Sequence, residues 1–179
     1  MKKTLVSDES LRAYVARYQK MQKYKNTEEG NAIFISNVIA ESEQVDNMHV
    51  KAKVGNFEIE SNGPKELGGS GKVPGPMPML LATLANCLEI TALLYLSFSN
   101  ININSIKIKV EGTYDKRSAL EPKKEPFPGF YDISYTWYIN TEENPEKVEQ
   151  ILKKVEDLCP IKGTLNRTPN FHSKVEYIN

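Results

Sequence analysis

One long apolar run limits what this chain can fold into. From Met77 to Phe98 the sequence reads MPMLLATLANCLEITALLYLSF, and Glu89 is its one charged residue. The run is nearly long enough to cross a membrane as a helix. However, a central glutamate is costly in lipid, and no second apolar span or flanking cluster of lysine and arginine accompanies it. We therefore expect a helix over roughly 78–99 that is surrounded by protein and not by lipid.

Length and charge point to an ordinary soluble domain. The chain has 179 residues, with 23 lysines and arginines against 23 aspartates and glutamates. This length is enough for one compact domain with a real core, and the balanced charge gives no reason to expect nucleic acid or an anionic membrane as a partner. The N-terminal MKKTLVSDES is a poor signal peptide because charged residues interrupt it. We expect a cytoplasmic protein whose thiols are reduced, catalytic or inert.

Periodicity and turn residues predict the other elements. A helix is expected from Ser7 to Lys25, capped by the Ser7 hydroxyl. Three strand-like runs follow, AIFISNVIA, MHVKAKV and NFEIES, and the turn at Gly55-Asn56 joins the last two into a hairpin. A loop rich in glycine and proline, GPKELGGSGKVPGPMP, leads into the apolar helix.

The second half of the chain alternates in the same way. Two strands, SIKIKVEGTY and FYDISYTWYIN, precede the helix PEKVEQILKKVEDLC, which Pro160 is expected to end, and FHSKVEYI is expected to be a last strand. The predicted order is α, β-β-β, α, β-β, α, β. Strands in groups, not in strict alternation with helices, indicate the α+β class.

The two cysteines have two interpretations. Cys87 lies in the middle of the apolar helix and Cys159 at the last turn of a later helix. Buried free cysteines often serve only as small apolar residues. A reactive thiol needs a neighbouring cation or helix N-terminus to form the thiolate. Cys159 sits at a helix C-terminus, which disfavours an anion and suits a second, resolving thiol, and Cys87 has no cation close in sequence.

At this point the sequence resembles a known family. PKELGGSGKVPGPMPMLLATLANC followed by DLCPIKGTLNRTP is similar to the OsmC/Ohr family of peroxide-handling proteins. The shared pattern is a loop with paired glycines, a proline, an apolar helix carrying one cysteine, and a later helix that ends in Cys-Pro. Here the matching residues are Gly68, Gly69, Pro76, Cys87, Cys159 and Pro160. The resemblance covers about 31–179, which leaves residues 1–30 as an N-terminal helical extension.

The resemblance implies a fold and a reaction. The fold would be an intertwined homodimer in which curved antiparallel sheets wrap around two long central helices. In the peroxidases of the family the first cysteine, here Cys87, attacks an organic or hydrogen peroxide. The second, here Cys159, then captures the sulfenic acid as a disulfide, and a dithiol reductant resets the pair. No cofactor or metal is implied.

This sequence departs from the family pattern where the thiolate should be activated. Peroxidase members carry a glutamate near the loop proline, but Met77, Pro78 and Met79 stand here. That glutamate orients an arginine, and the first strand of this chain has none. Arg12 and Arg17 lie on the N-terminal helix, where they could supply a cation across the dimer or simply form a solvated face.

Two further residues are candidates for the missing arginine and glutamate. Arg167 lies near Cys159 in sequence and is expected in a surface loop. Glu89 points to a different helix face from Cys87. It is expected to have a structural role and to need a partner if buried, for which Lys51, Lys53 or Lys72 are candidates.

Two other functions remain open from sequence. A non-catalytic relative could bind a small apolar ligand, with Met77 and Met79 at the entrance. A redox sensor could form the Cys87–Cys159 disulfide without turnover. A zinc site made by His49 and His172 with the cysteines matches no metal-binding spacing. The GGSGK segment lacks the spacing of a phosphate loop and is expected to be a turn.

Overall fold

Helices and antiparallel strands form separate groups along the chain. The computed structural model describes residues 5–120 and 125–178. Short 3-10 turns at Lys65–Leu67 and Lys116–Ala119 accompany the main elements. The α+β class predicted from the sequence is confirmed. In chain order the elements are α1 (Asp8–Tyr24), α2 (Glu28–Phe34), β1 (Ala40–Asp46), β2 (His49–Val54), β3 (Phe57–Asn62), α3 (Pro76–Phe98), β4 (Ile103–Tyr114), β5 (Phe130–Thr141), α4 (Pro145–Leu158) and α5 (Pro160–Leu165).

The strands form two antiparallel sheets. β1, β2 and β3 follow one another in the first sheet, and β4 pairs with β5 in the second. Val54 pairs with Phe57, so β2 and β3 are joined by the predicted two-residue turn. Gly55 adopts a positive φ of 60° there, which a residue without a side chain adopts at little cost.

Helix α3 is the element around which the core is built. Its buried residues repeat mainly every fourth position, because one helix face packs against β4 and α4. Helix α4 contributes its own apolar stripe to the same core. Each leucine buried in this way contributes about 2 kcal/mol to stability. The buried apolar residues of the two helices are Leu84, Leu88, Ala92, Leu96, Val148, Leu152 and Val155.

The opposite face of α3 is uncovered in the single chain. By length and composition α3 could cross a membrane. In the single chain only 22% of its most apolar window is buried within the protein. Core helices of soluble proteins meet the same criterion, so this is weak evidence for a membrane. Ile90 is 66% exposed, and Phe98 is exposed as well. An apolar helix with one bare face indicates a surface that something else covers.

The strand predicted from AIFISNVIA is wrong. Its first residues belong to α2, because the Thr27 hydroxyl accepts a hydrogen bond from the Gly30 N–H and two glutamates occupy the first turn. The apolar residues Ile35, Val38 and Ile39 follow in an exposed segment with no regular secondary structure. The first strand is instead the polar segment that begins at Ala40, because that segment pairs with β2.

One prediction for the C-terminal region is confirmed and one is wrong. Helix α4 ends just before Pro160, as expected. Pro160 also opens α5, a helix that was not predicted, because the first position of a helix needs no backbone N–H. The expected final strand FHSKVEYI is exposed and has no ladder partner among the described strands. An extended segment becomes a strand only when a neighbouring edge accepts its hydrogen bonds.

The loop before α3 is held in place by close packing. The buried Asn62 amide donates to the Ser70 hydroxyl at 3.0 Å and accepts from the Ser70 N–H at 3.4 Å. The backbone of Gly69 lies so close to β3 that a Cβ there would stand 1.8 Å from the Gly63 carbonyl oxygen. Gly69 is therefore needed for this close approach, whereas Gly68 adopts a positive φ of 87°.

Replacing Gly69 with alanine should destabilise the protein by about 1–3 kcal/mol, the usual cost of forced overpacking. Chemical denaturation of both proteins would measure this. Gly163→Ala is the matched control, because no heavy atom lies within 4 Å of its added Cβ. Equal denaturation midpoints for the two variants would contradict the close approach.

Candidate functional site

The two cysteines meet in the core. Cys87 comes from the middle of α3 and Cys159 from the junction of α4 and α5. The Cys159 thiol donates to Cys87 Sγ across a sulfur-to-sulfur distance of 3.0 Å, and both cysteines are free. A disulfide bond is about 2.05 Å long. Closing the gap therefore needs a movement of only about 1 Å.

Local backbone geometry places Cys159. Its N–H donates to the Val155 carbonyl and so ends α4, and its Sγ accepts from the Lys162 N–H at 3.5 Å and so caps α5. One residue thus serves as the cap of two successive helices. Pro160 immediately after it makes the change of direction obligatory, since proline cannot continue the hydrogen bonding of α4.

The surroundings of the sulfur pair are apolar. Cys159 is 1% exposed, whereas Cys87 is half-buried at the edge of the covered face of α3. The side chains around the pair come from α3, both strands of the second sheet and α5, and they are Leu84, Ala85, Leu88, Ile108, Val110, Ile133, Tyr135, Trp137 and Ile161.

This environment disfavours the Cys87 thiolate. Burial raises the pKa of the Cys87 thiol above its ordinary value, and the hydrogen bond with Cys159 adds to the increase. Hydrogen bonding from the Ile161 backbone and the Thr91 hydroxyl acts in the opposite direction but does not outweigh burial. In the single chain the surroundings of Cys87 thus favour its neutral thiol over its thiolate.

Three arginines make contacts with groups other than Cys87. The Arg17 guanidinium stands 5.8 Å from the centre of the Phe34 ring, and Arg117 pairs with Asp115. Arg167 is in the surface loop expected for it, where it lines a pocket of about 510 Å³ together with Cys159. Cys87 does not line that pocket.

Charged residues next to Cys159 were missed from sequence. Glu156 Oε2 and Lys162 Nζ lie 3.2 Å apart, and their side chains are only 27% and 25% exposed. Lys162 Nζ also lies 5.8 Å from the centre of the Tyr135 ring. The spacing E-x-x-C-x-x-K in EDLCPIK was the available signal, but it could be interpreted only once α5 was known to follow Cys159.

Glu89, His49 and Met77 are among the other residues that the sequence analysis considered. Glu89 is half-buried and makes no ion pair within the part of the chain that the structure describes, while Lys51, one candidate partner, pairs with Glu58. His49 Nε2 lies 3.1 Å from Glu60 Oε2. Across residues 5–120 and 125–178, no cluster of three or more histidine, cysteine, aspartate or glutamate side chains could hold a metal ion. Met77 lines a pocket of about 450 Å³ at the start of α3.

Comparison with known proteins gives the family. The model of the OsmC-like protein family matches residues 69–174, which is more than half of the chain. This chain belongs to the OsmC-like protein family. The resemblance drawn from the glycine pair and the two cysteines is thereby confirmed, and both cysteines of the OsmC-like chain lie inside the matched segment. Among curated proteins, none matches the chain significantly.

Solved structures agree on the fold. An OsmC-like protein from Mycoplasma pneumoniae is 23% identical with a TM-score of 0.63, covering 73% of this chain and 88% of its own. A Legionella pneumophila protein described as an organic hydroperoxide resistance protein and predicted redox protein is also 23% identical, with a TM-score of 0.56 and coverage of 73% and 90%. An organic hydroperoxide resistance protein from Elizabethkingia anophelis is 18% identical, with a TM-score of 0.52 and coverage of 72% and 87%. At these identities the likeness shows the fold.

Alkylation should distinguish the two thiols of the OsmC-like chain. Iodoacetamide is expected to modify the half-buried Cys87 before the buried Cys159, at a rate that rises with pH because only the thiolate reacts. Since burial raises the pKa of Cys87, the inflection should lie above that of an unstructured cysteine peptide measured alongside. Peptide mass mapping would assign the modified residue. An inflection below that of the peptide would mean that a cation outside these surroundings stabilises the thiolate.

Proposed function

We propose that this OsmC-like protein is a thiol-dependent peroxidase that reduces organic or hydrogen peroxide. The observation that supports it best is the 3.0 Å contact between Cys87 Sγ and Cys159 Sγ. Two free thiols this close inside a family that includes proteins named for hydroperoxide resistance are suited to reversible disulfide formation. We place this chemistry in the cytoplasm, where thiols are kept reduced, and in residues 31–179, with residues 1–30 as an extension.

The proposed reaction has three steps. The Cys87 thiolate attacks one peroxide oxygen, and the O–O bond breaks to give a sulfenic acid and an alkoxide or hydroxide that takes up a proton. The Cys159 thiol then attacks the sulfenic sulfur, which forms the disulfide and releases water. An external dithiol finally reduces the disulfide by two exchange steps and is itself oxidised.

Cys87 and Cys159 have different positions for these roles. Cys87 is the more accessible of the two and lies at the edge of the bare face of α3, so a peroxide can reach it first. Cys159 is buried behind it with its thiol directed at Cys87. The apolar side chains around the pair favour a peroxide with an apolar organic group, because such a group gains from burial.

We also propose that the working unit is a homodimer. The bare apolar face of α3 supports it, since Ile90 on that face is largely exposed. Segment 168–178 supports it too, because it is exposed and unpaired in the single chain and could pair with the edge of a second copy's sheet. Because burial raises the pKa of Cys87, a peroxidase of this kind needs a cation near Cys87, and a partner chain facing α3 could supply one.

One observation favours a second function, the binding of a small apolar ligand. Met77 lines a pocket of about 450 Å³ with Leu67, Tyr114 and Ala119, which is within the size range of small-molecule sites. The same Cys87–Cys159 geometry also suits a redox sensor. Stoichiometric oxidation without turnover would identify the sensor, and a ligand retained in native mass spectrometry would identify the binding protein.

Peroxide consumption in the presence of a dithiol should depend on Cys87. With cumene hydroperoxide or hydrogen peroxide, wild type should turn over, and Cys87→Ser should fall to background because a serine hydroxyl cannot reduce the O–O bond. Cys159→Ser is the matched control at the neighbouring sulfur. It should still react once per chain with peroxide, and the sulfenic acid at Cys87 should be trapped by dimedone. Unchanged turnover in Cys87→Ser would rule the mechanism out.

A charge on the bare face of α3 should dissociate the proposed dimer. Ile90→Lys is expected to shift the mass measured by light scattering from two chains to one, because an unpaired charge in an apolar interface is strongly unfavourable. The control is Leu120→Lys, which places the same charge at an 80% exposed residue outside α3. A wild-type protein with the mass of one chain at all concentrations would contradict the dimer.

A further inference from the structure

The junction between α4 and α5 carries an ion pair that the proposed reaction does not use. Glu156 lies three residues before Cys159 and Lys162 three residues after it, and their charged groups meet at 3.2 Å. Both side chains are mostly buried, and Lys162 stands against the face of the Tyr135 ring. Tyr135 in turn packs in the apolar cluster around the two sulfurs.

Lys162 makes contacts at the site through both its backbone and its side chain. Its backbone N–H donates to Cys159 Sγ at 3.5 Å, and its side chain reaches back to Glu156 on the preceding helix. The chain between these two contacts is the bend at Cys159-Pro160. The ion pair therefore links α4 to α5 across the residue whose sulfur must face Cys87.

The positions of the charges also matter. Burial alone lowers the pKa of Lys162, but hydrogen bonding with Tyr135 and Glu156 outweighs burial and raises that pKa above its ordinary value. The lysine therefore stays charged at neutral pH. Its charge is directed at Glu156 and Tyr135, and among the influences on the Cys87 thiol the largest are burial and the neighbouring sulfur, not this lysine.

We propose that Glu156 and Lys162 are positioning residues that hold the Cys159 sulfur against Cys87 and so set the stability of the Cys87–Cys159 disulfide. The proposal rests on the proposed function only in that it requires the two sulfurs to form a reversible disulfide. A bend that is held rigid keeps the effective concentration of the Cys159 thiol at Cys87 high. A bend that is released lowers it, and the disulfide then becomes easier to reduce.

The test uses the full-length protein in glutathione redox buffers, with no peroxide. The Cys87 thiolate attacks oxidised glutathione, giving a mixed disulfide and one glutathione thiolate. The Cys159 thiolate then attacks the Cys87 sulfur, giving the protein disulfide and a second glutathione thiolate. The protein loses two electrons and two protons, and one oxidised glutathione becomes two reduced ones. Mass spectrometry after acid quenching gives the fractions of dithiol, mixed disulfide and disulfide.

Both Glu156→Gln and Lys162→Gln should weaken the disulfide. We expect the oxidation equilibrium constant to fall about tenfold in each, a rise in reduction potential of about 30 mV, and the mixed disulfide at Cys87 to persist longer. A purely electrostatic role predicts opposite signs for the two variants, because one leaves an unpaired cation near the thiolates and the other an unpaired anion. Shifts in opposite directions would therefore overturn the positioning role.

Matched variants separate positioning from general damage. Glu149→Gln makes the same change two turns earlier on the same helix, where no ion pair forms among the described residues, and should leave the potential at the wild-type value. Lys162→Arg keeps the pair and should restore the potential. If a single variant fails to fold, the charge-reversed Glu156→Lys/Lys162→Glu double variant tests the same link. A wild-type potential in a double variant that unpairs both positions, Glu156→Gln/Lys162→Gln, would overturn the proposal.

The outcomes also separate this proposal from the peroxidase. Failure of the wild-type protein to form the disulfide in any glutathione buffer would sink both. A normal disulfide with the same potential in wild type and both glutamine variants would sink only the positioning role and leave the peroxidase proposal standing.

Discussion

The packing of α3 against β4 and α4 is the constraint on which the other features depend. It buries one side of an apolar helix and thereby places Cys87 at a fixed depth beside the second sheet. The loop before α3 is packed tightly against the end of β3, where the backbone of Gly69 approaches the Gly63 carbonyl. The other side of the helix stays bare within the single chain, so the same packing both completes the core and leaves a surface that needs covering.

The apolar surroundings have opposite effects on the two stages of thiol chemistry. They exclude water and hold the two sulfurs in contact, which favours disulfide formation. They also disfavour the charged thiolate that must act first, because burial penalises a charge that has no partner. The departure from the family pattern at Met77, Pro78 and Met79 falls on that first stage, since these residues replace the expected acid. In the proposed peroxidase, these surroundings would favour disulfide formation, and the thiolate would need a group outside the apolar cluster to stabilise it.

Sequence patterns predicted correctly the structural elements that depend only on neighbouring residues. The cap at Ser7, the turn at Gly55 and the apolar helix were predicted correctly because each depends on neighbouring residues alone. The strand expected at AIFISNVIA failed because β-branched residues mark a strand only where an edge pairs with them, and the polar run after Ala40 has that partner. The final strand failed for the same reason.

The sequence singled out the two cysteines but did not show their surroundings. Composition could not show that the two sulfurs meet, and that expectation came from family resemblance. The contact between Glu156 and Lys162 depends on the chain turning at Pro160 and continuing as α5, a helix that the sequence analysis did not predict. Because Pro160 was interpreted only as the end of α4, the return of Lys162 to Glu156 through α5 was missed.

The Cys159 sulfur has two structural roles, one at the sulfur pair and one at the start of α5. The sulfur that faces Cys87 also accepts the Lys162 N–H and so secures the first turn of α5. The loss of a helix cap costs about 1 kcal/mol, enough to change how often a six-residue helix frays. If Cys159 forms the proposed disulfide, the acceptor of this cap changes, and the local order of residues 160–165 would then depend on the oxidation state of the sulfur.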